Sequence, residues 1–465
     1  MAAKPSDVRI RMYNVGFGDC FLLTFRYKDK KKTERHVLVD FGSTAAPMRR
    51  ESQMGETAED IRRITGGRLD AVVVTHRHAD HISGFTPRAN GKGPGDVIAS
   101  IAKDAVIVQP WTEDPDLPKE AVKGRGGAPS GKKAFSALHA RSLESMHSVA
   151  KAIVSRVQRH EFDDADVEDN SEENGEAAAE ARANRPLVGR LGIGKGLTGK
   201  LGFLGETNLK NLPAVKNLQS MGRAHEWLSY GMKTALSGTV LPGVKVHVLG
   251  PPTIEEYPQV KAYAKDSDQY WKLQAAATKV SAELTVEKLF PDAPSVQAED
   301  LPKSVRWFVR KVRTAQAQQL MELVRIVDST LNNTSLILMF EIGGKLLLFP
   351  GDAQIENWAY ALEHAKNKTA MRKLLRATDL YKVGHHGSLN ATPKPLWEMF
   401  KKKPKIVTLL STRPGKHGST TSHTEVPRTT LRDELDAHSN FHTTENCGKN
   451  KTSPLFDEIV VKFGR

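Results

Sequence analysis

The stretch Ala71-Val72-Val73-Val74-Thr75-His76-Arg77-His78-Ala79-Asp80-His81 runs from a short β-branched apolar segment into Thr-His-x-His-x-Asp-His. The apolar part reads as a buried parallel strand. Three imidazoles and a carboxylate then follow within six residues. Stability alone does not ask for that grouping. Imidazole nitrogen and carboxylate oxygen are the usual ligands of catalytic zinc and related ions. An irregular loop after a strand lets successive side chains converge on one point, which a regular strand does not. A solvated polar loop is the plainer alternative. Four ligand-type residues bounded by a core strand favour His76, His78, Asp80 and His81 as metal ligands.

Outward from that loop, strands and helices alternate. Val8 to Asn14 reads as a strand, Val15 to Asp19 as a glycine turn, and Cys20 to Tyr27 as the returning strand. His36 to Ser43 is a third strand ending in Asp-x-Gly, where Asp40 either holds a neighbouring loop by accepting backbone N–H bonds or marks a plain turn. Ala58 to Ile64 is expected as a helix, Ser83-Gly84-Phe85 as the opening of another, and Ala105 to Gln109 as a strand. Farther on, Val244 to Leu249 is a strand. Thr334 to Ile342 and Lys345 to Phe349 flank Gly343-Gly344, a hairpin signal. Leu380 to Val383, Lys405 to Leu410, Phe441 to Thr444 and Ile459 to Phe463 complete the strands. Gln354 to His364, Pro395 to Lys401 and Val426 to Leu435 are expected as helices. Strand pairs at the start of each half, followed by alternating strands and helices, predict an α/β (α+β) fold of two mixed sheets between helices.

Two later strand ends carry candidate ligands. Asp352 follows Leu346-Leu347-Leu348-Phe349-Pro350-Gly351, and His385 and His386 follow Tyr381-Lys382-Val383-Gly384. With the His76–His81 loop they supply enough donors for two metal ions. A bridging carboxylate suits a site with ions ~3.5–4 Å apart.

These motifs resemble the metallo-β-lactamase superfamily, whose hallmark is His-x-His-x-Asp-His. More narrowly they resemble the hydrolase domain of the ComEC-like competence proteins. The resemblance rests on Asn14 to Cys20, on Asn332-Asn333-Thr334-Ser335-Leu336, on Gly351-Asp352 and on Lys382 to Ser388, with a weaker match around Ser411, His423 and Val426. It implies a four-layer αββα sandwich with helical and irregular insertions. It also implies that His76 and His78 bind one divalent ion, that Asp80, His81 and His385 bind a second, and that Asp352 bridges them. Zinc is the first choice of metal and manganese the second. Asp80 would position the nucleophile. His386 or His423 would protonate the leaving group, and Asn333, Lys382 and Ser388 would lie beside the substrate. One departure stands out: many superfamily members have a third histidine for the first metal where this chain has Gly250.

Residues 1–110 and 244–465 are expected to be the two halves of the fold. Residues 111–243 read as an insertion containing an acidic tract (161–180) and a glycine-rich basic tract (189–205), and residues 255–327 as a helical insertion. The glycine tract lacks the Gly-Lys-Ser/Thr that a phosphate-binding loop requires after a strand. The chain of 465 residues has a formal net charge of +14. That excess favours polyanionic partners without bearing on the fold. Two cysteines, Cys20 and Cys447, exclude a disulfide framework or a cysteine-type zinc site and fit a reducing compartment. No window approaches the ~18 apolar residues of a membrane span. The sequence therefore predicts a soluble cytoplasmic metallohydrolase acting on a phosphodiester, with nucleic acid or nucleotides as substrate. A hydrolase of a small ester, lactone or thioester, and a non-catalytic metal-containing binding module, stand as alternatives.

Overall fold

The computed structural model describes residues 4–47, 53–117, 123–124, 130–131, 212–257, 332–388, 392–416, 425–449 and 452–463. The acidic and glycine-rich tracts, nearly all of the helical insertion, and His423 lie outside them.

Within each sheet the side-chain alternation of a β-strand sends neighbouring residues into different layers. In β2 (Cys20–Tyr27), Phe21, Leu23 and Phe25 enter one apolar cluster while Cys20 and Leu22 enter another. The same division runs through β1 (Pro5–Tyr13), β3 (Glu34–Phe41), β4 (Ala71–Val73) and β5 (Val106–Pro110). With β6 (Ser130–Gly131), β7 (Ala224–Leu228) and a late strand, β14 (Phe456–Lys462), they form a sheet in the order β14-β1-β2-β3-β4-β5-β7-β6. The second sheet runs β13-β12-β11-β10-β9-β8, built from β8 (Lys245–Gly250), β9 (Ile337–Ile342), β10 (Lys345–Phe349), β11 (Leu380–Lys382), β12 (Val407–Leu410) and β13 (Asn440–Thr443).

Three apolar layers separate four structural ones. Ile10, Phe25, Val73, Phe340 and Phe349 lie in the central cluster between the sheets. Helices Met54–Ile64, Pro94–Ile101 and Leu212–Ser220 cover the outer face of the first sheet through Ile61, Ile98 and Leu218. On the second sheet, Trp358, Leu375, Trp397 and Leu435 bring in helices Ile355–Ala359, Lys368–Arg376, Lys394–Met399 and Thr429–His438. This is the expected αββα sandwich of two mixed sheets.

Three local differences from the sequence reading bear on the site. Residues Ala224–Leu228, expected within the insertion, are the parallel neighbour of β5 in the first sheet. A helical turn, Ala79–Ile82, begins before Ser83 and itself carries Asp80 and His81. The N–H groups of His81 and Ile82 both donate to the His78 carbonyl at 3.0 Å, so this part of the loop is regular. The helix expected over 354–364 is α-helical at Ile355–Ala359 and widens into a π-turn at Tyr360–His364. No helix among the described residues is long and apolar enough to cross a membrane.

Parallel pairing sets where chemistry collects. β3, β4, β5 and β7 are parallel, as are β10, β11, β12 and β13. Loops leaving the carboxyl ends of such strands meet in one crevice. Here the end of β3 carries Asp40, and the loops carry His76, Asp352, His385, His386 and Ser411. Two cross-sheet bonds hold the rims together: the Leu336 N–H donates to the Thr75 carbonyl at 2.9 Å, and the Ser411 hydroxyl to the Gly18 carbonyl at 2.6 Å. Within the rim of the first sheet, the Asp19 N–H donates to the Asp80 carbonyl at 2.9 Å.

Candidate metal centre

Asp40, the penultimate residue of β3, has a left-handed φ of 54°. It accepts the Thr75 N–H and the Thr75 hydroxyl, each at 2.7 Å, and faces His81 Nδ1 at 2.8 Å. These contacts are what the sequence suggested for a carboxylate at this strand end. They also fix the His81 ring. With its Nδ1–H given to Asp40, His81 turns Nε2 inward, toward Oδ2 of Asp352 at 3.1 Å. His386 repeats the arrangement from the other sheet. Its Nδ1 bonds the Ser411 carbonyl at 2.9 Å, and its Nε2 faces Asp80 Oδ2 at 2.9 Å. An outer partner on one ring nitrogen is the usual way a protein aims the other at a metal.

Donor atoms of Asp80, His81, Asp352 and His386 lie within 4.8 Å of one another. The Nε2 of His81 and Oδ2 of Asp352 are buried, and neither has a hydrogen bond of sound geometry. Buried polar atoms without such bonds are costly unless something else satisfies them. Two imidazoles and two carboxylates around that point are a donor set that fits a divalent ion such as zinc or manganese. His76 stands at the edge of this group, its Nε2 4.0 Å from Asp352 Oδ2 and 3.1 Å from His78 Nδ1.

Electrostatics of the site follow from that crowding. Burial opposes charge on His81, but Asp352, Asp40 and Asp80 outweigh it and push its pKa well up. Burial likewise opposes charge on His386, and Asp19, Asp80 and Asp352 raise its pKa. His76 goes the other way: burial, reinforced by His81, holds it well below the usual range and therefore neutral. Burial disfavours the charged form of Asp80, yet His81 and His386 keep its carboxyl strongly acidic. The upward shifts of His81 and His386 offset the crowding of carboxylates, and a divalent ion held here would displace protons from these rings.

The remaining sequence candidates fall in different places. The His385 ring is not part of the four-residue group. Its Nδ1 pairs with the Ser388 hydroxyl at 2.7 Å, while its backbone N–H donates to Asp352 Oδ1 at 3.0 Å. Ser388 is buried behind it. Lys382, expected beside the substrate, is 2 % exposed and points inward at Asp19, the Gly351 carbonyl and Asp352. Asn333 is buried, with its carbonyl held by the Asn357 amide at 3.2 Å. Gly250 closes β8, and a Cβ there would stand 2.4 Å from Asn357 Oδ1. No side chain of that position can join the site without moving Asn357, which also donates to the Ser335 carbonyl at 3.0 Å.

Sequence reasoning passed over Asp19, and it chose His385 where the donor group contains His386. The glycines either side of the His-His pair were the available signal. Both histidines have left-handed backbone, with φ of 41° and 51°, so the turn reverses which ring faces inward.

Residues 13–92 match the metallo-beta-lactamase superfamily. The matched segment contains Asp19, Asp40 and the whole His76–His81 loop, and stops short of Asp352 and His386. Members of that superfamily are mostly hydrolases that bind divalent metals, and the fold and donor group agree with a metal-dependent hydrolase. No curated protein matches the chain.

Proposed function

We propose that this chain is a metal-dependent phosphodiesterase, a nuclease or nucleotide hydrolase of the ComEC-like kind, working in the cytoplasm. The observation that carries the hydrolase reading is the convergence of Asp80, His81, Asp352 and His386 from two sheets on one buried point. These four would hold a metal ion tightly. His76 and His78, with Asp352, would hold a second more weakly, because Gly250 supplies no third ligand there. When bound, a divalent ion lowers the pKa of its water toward ~7 and neutralises charge growing on the phosphoryl oxygens.

The chain's own groups do the rest. His81 and His386 keep Nε2 aimed inward because Asp40 and the Ser411 carbonyl hold their other nitrogens. Asp80, acidic and anchored by the backbone contact to Asp19, orients the attacking water. His385, half-buried and steadied by Ser388, donates a proton to the leaving oxygen as the phosphorus–oxygen ester bond breaks. His423 is a second candidate for that proton.

Support for a phosphodiester comes from charge. The net +14 is joined by a basic face on helix Lys368–Arg376, where Lys368, Arg372, Lys373 and Arg376 are exposed. That helix is tied to the lysine run 401–405 by the Lys401 N–H on the Arg376 carbonyl at 3.0 Å. Phosphate contacts made by such a face would make affinity fall steeply with salt. The test is a hydrolysis screen of DNA, RNA, bis(p-nitrophenyl) phosphate and small esters and thioesters, with zinc, manganese or magnesium added. Cleavage of phosphodiesters that is lost in the His76→Ala/Asp352→Ala variant supports the reading. Turnover of esters alone replaces it with a small-ester hydrolase, and metal binding without any turnover replaces it with a binding module.

A further inference from the structure

Lys382 ends β11 with its ammonium inside the protein. Its neighbours are the Asp19 carboxylate, in direct ion pairing, the Gly351 carbonyl at 3.3 Å and Asp352 Oδ1 at 3.5 Å. An ammonium has three N–H donors, and three protein oxygens already surround this one. Nothing of it is left for a phosphate.

The Asp352 carboxylate is divided by these contacts. Its Oδ1 takes the His385 N–H at 3.0 Å and faces Lys382. Its Oδ2 faces His81 Nε2 at 3.1 Å and the Nε2 atoms of His76 and His386, each at 4.0 Å. One oxygen is pinned to the protein and the other is left for the site. Asp19 closes the arrangement. Its side chain lies on the Nδ1 side of the two inward-facing rings, 3.8 Å from His81 and 3.6 Å from His386. Its nearest approach to each ring is thus to Nδ1, the nitrogen turned away from the four-residue group.

We propose that Asp19 and Lys382 act as a positioning pair that locks Asp352 into single-oxygen coordination, and so sets how tightly the centre holds its metal. The inference rests on the metal-centre reading above. Without the pair only the His385 N–H holds Oδ1, and the carboxylate turns more freely about its last torsion to offer both oxygens. The pair also explains why a lysine can sit beside a cation site. Asp19 cancels its charge, so the anchoring is gained without repelling the metal.

The experiment uses Asp19→Asn/Lys382→Met, which removes one charge of each sign. Its long-range effect on a bound ion is close to zero, and a change in affinity then reports positioning. Replacing a buried ion pair by uncharged residues is commonly tolerated by the fold. Zinc affinity is read by competition with a chromophoric chelator, and coordination by the visible spectrum of the cobalt-substituted protein. The expected result is about 10- to 100-fold weaker zinc binding, as for other residues that orient ligands. The cobalt bands should weaken as Asp352 becomes bidentate and the coordination number rises. Wild-type affinity with an unchanged cobalt spectrum overturns the proposal. A wild-type protein that binds no metal overturns the metal-centre reading along with it. Should the double variant not fold, Lys382→Gln decides by sign. Loss of the charge alone tightens metal binding, whereas an amide that stops short of Asp352 loosens it, and tighter binding overturns the proposal.

Discussion

His81 Nδ1 lies 2.8 Å from Oδ2 of Asp40, a residue that also takes both the N–H and the hydroxyl of Thr75. One buried carboxylate thus fixes the strand end, the loop and the ring. In Asp40→Asn the new amide must turn its NH2 toward one of these three donors. Metal affinity should fall about 10- to 100-fold although no ligand is removed. Stability should fall by about 1–3 kcal/mol from the unmet bond. Chelator competition and urea denaturation of the same preparation check the two effects.

The two adjacent histidines should separate cleanly. His386→Ala removes a member of the four-residue donor group, and bound metal should fall. His385→Ala should keep the metal and lose turnover, because its ring bonds Ser388 and not the donor group. Elemental analysis of both variants, beside their rates, gives the answer. Metal loss in His385→Ala with retention in His386→Ala would reverse the assignment.

At the end of β8, adding even a methyl group should be harmful. The Cβ of Gly250→Ala meets Asn357 Oδ1 at 2.4 Å, and Asn357 is locked by two backbone carbonyls. Overpacking of this kind costs about 1–3 kcal/mol. The denaturation midpoint should drop, and Gly250→His should not raise the metal content.

Much of the site was legible because its ligands are consecutive in sequence or flanked by glycine. The run His76 to His81 announces itself, and Gly351-Asp352 follows an unmistakable strand. β2 was readable at its full length because Cys20 to Tyr27 is almost wholly apolar. β7 was not, since His225 and Glu226 are buried polar residues in mid-strand and break the apolar signal. Helix Lys368–Arg376 was missed because only Met371 and Leu375 are buried, one turn apart, amid charged residues. The choice between His385 and His386 depends on the left-handed torsions of both, which the flanking glycines signal without saying which ring faces inward.

A pH effect on stability should come from His36, away from the metal centre. Its Nδ1 pairs with the Thr24 hydroxyl at 3.1 Å. Burial outweighs the pull of Asp70 and lowers its pKa to about 4. The folded state therefore resists protonation that the unfolded chain accepts near 6.5. The contribution is intact above pH 6.5 and is lost as pH falls from 6.5 to 4, about 3 kcal/mol in all. His36→Gln should flatten that part of the slope. Denaturation of both metal-free proteins from pH 4 to 8 measures the difference, and parallel curves would show that His36 does not titrate this way.

The pairing of β1 with β14 joins Asp7 to Lys462 and Tyr13 to Phe456. During synthesis β1 therefore waits for a strand made only after every other described strand of both sheets. Until then the edge of the first sheet is open, with β1 bonded on one side only. Such an edge is a template for pairing with other chains. The hazard for this protein thus lies in the interval of its own making, and slowed translation past residue 250 should lower soluble yield more than the stability of the finished protein would suggest.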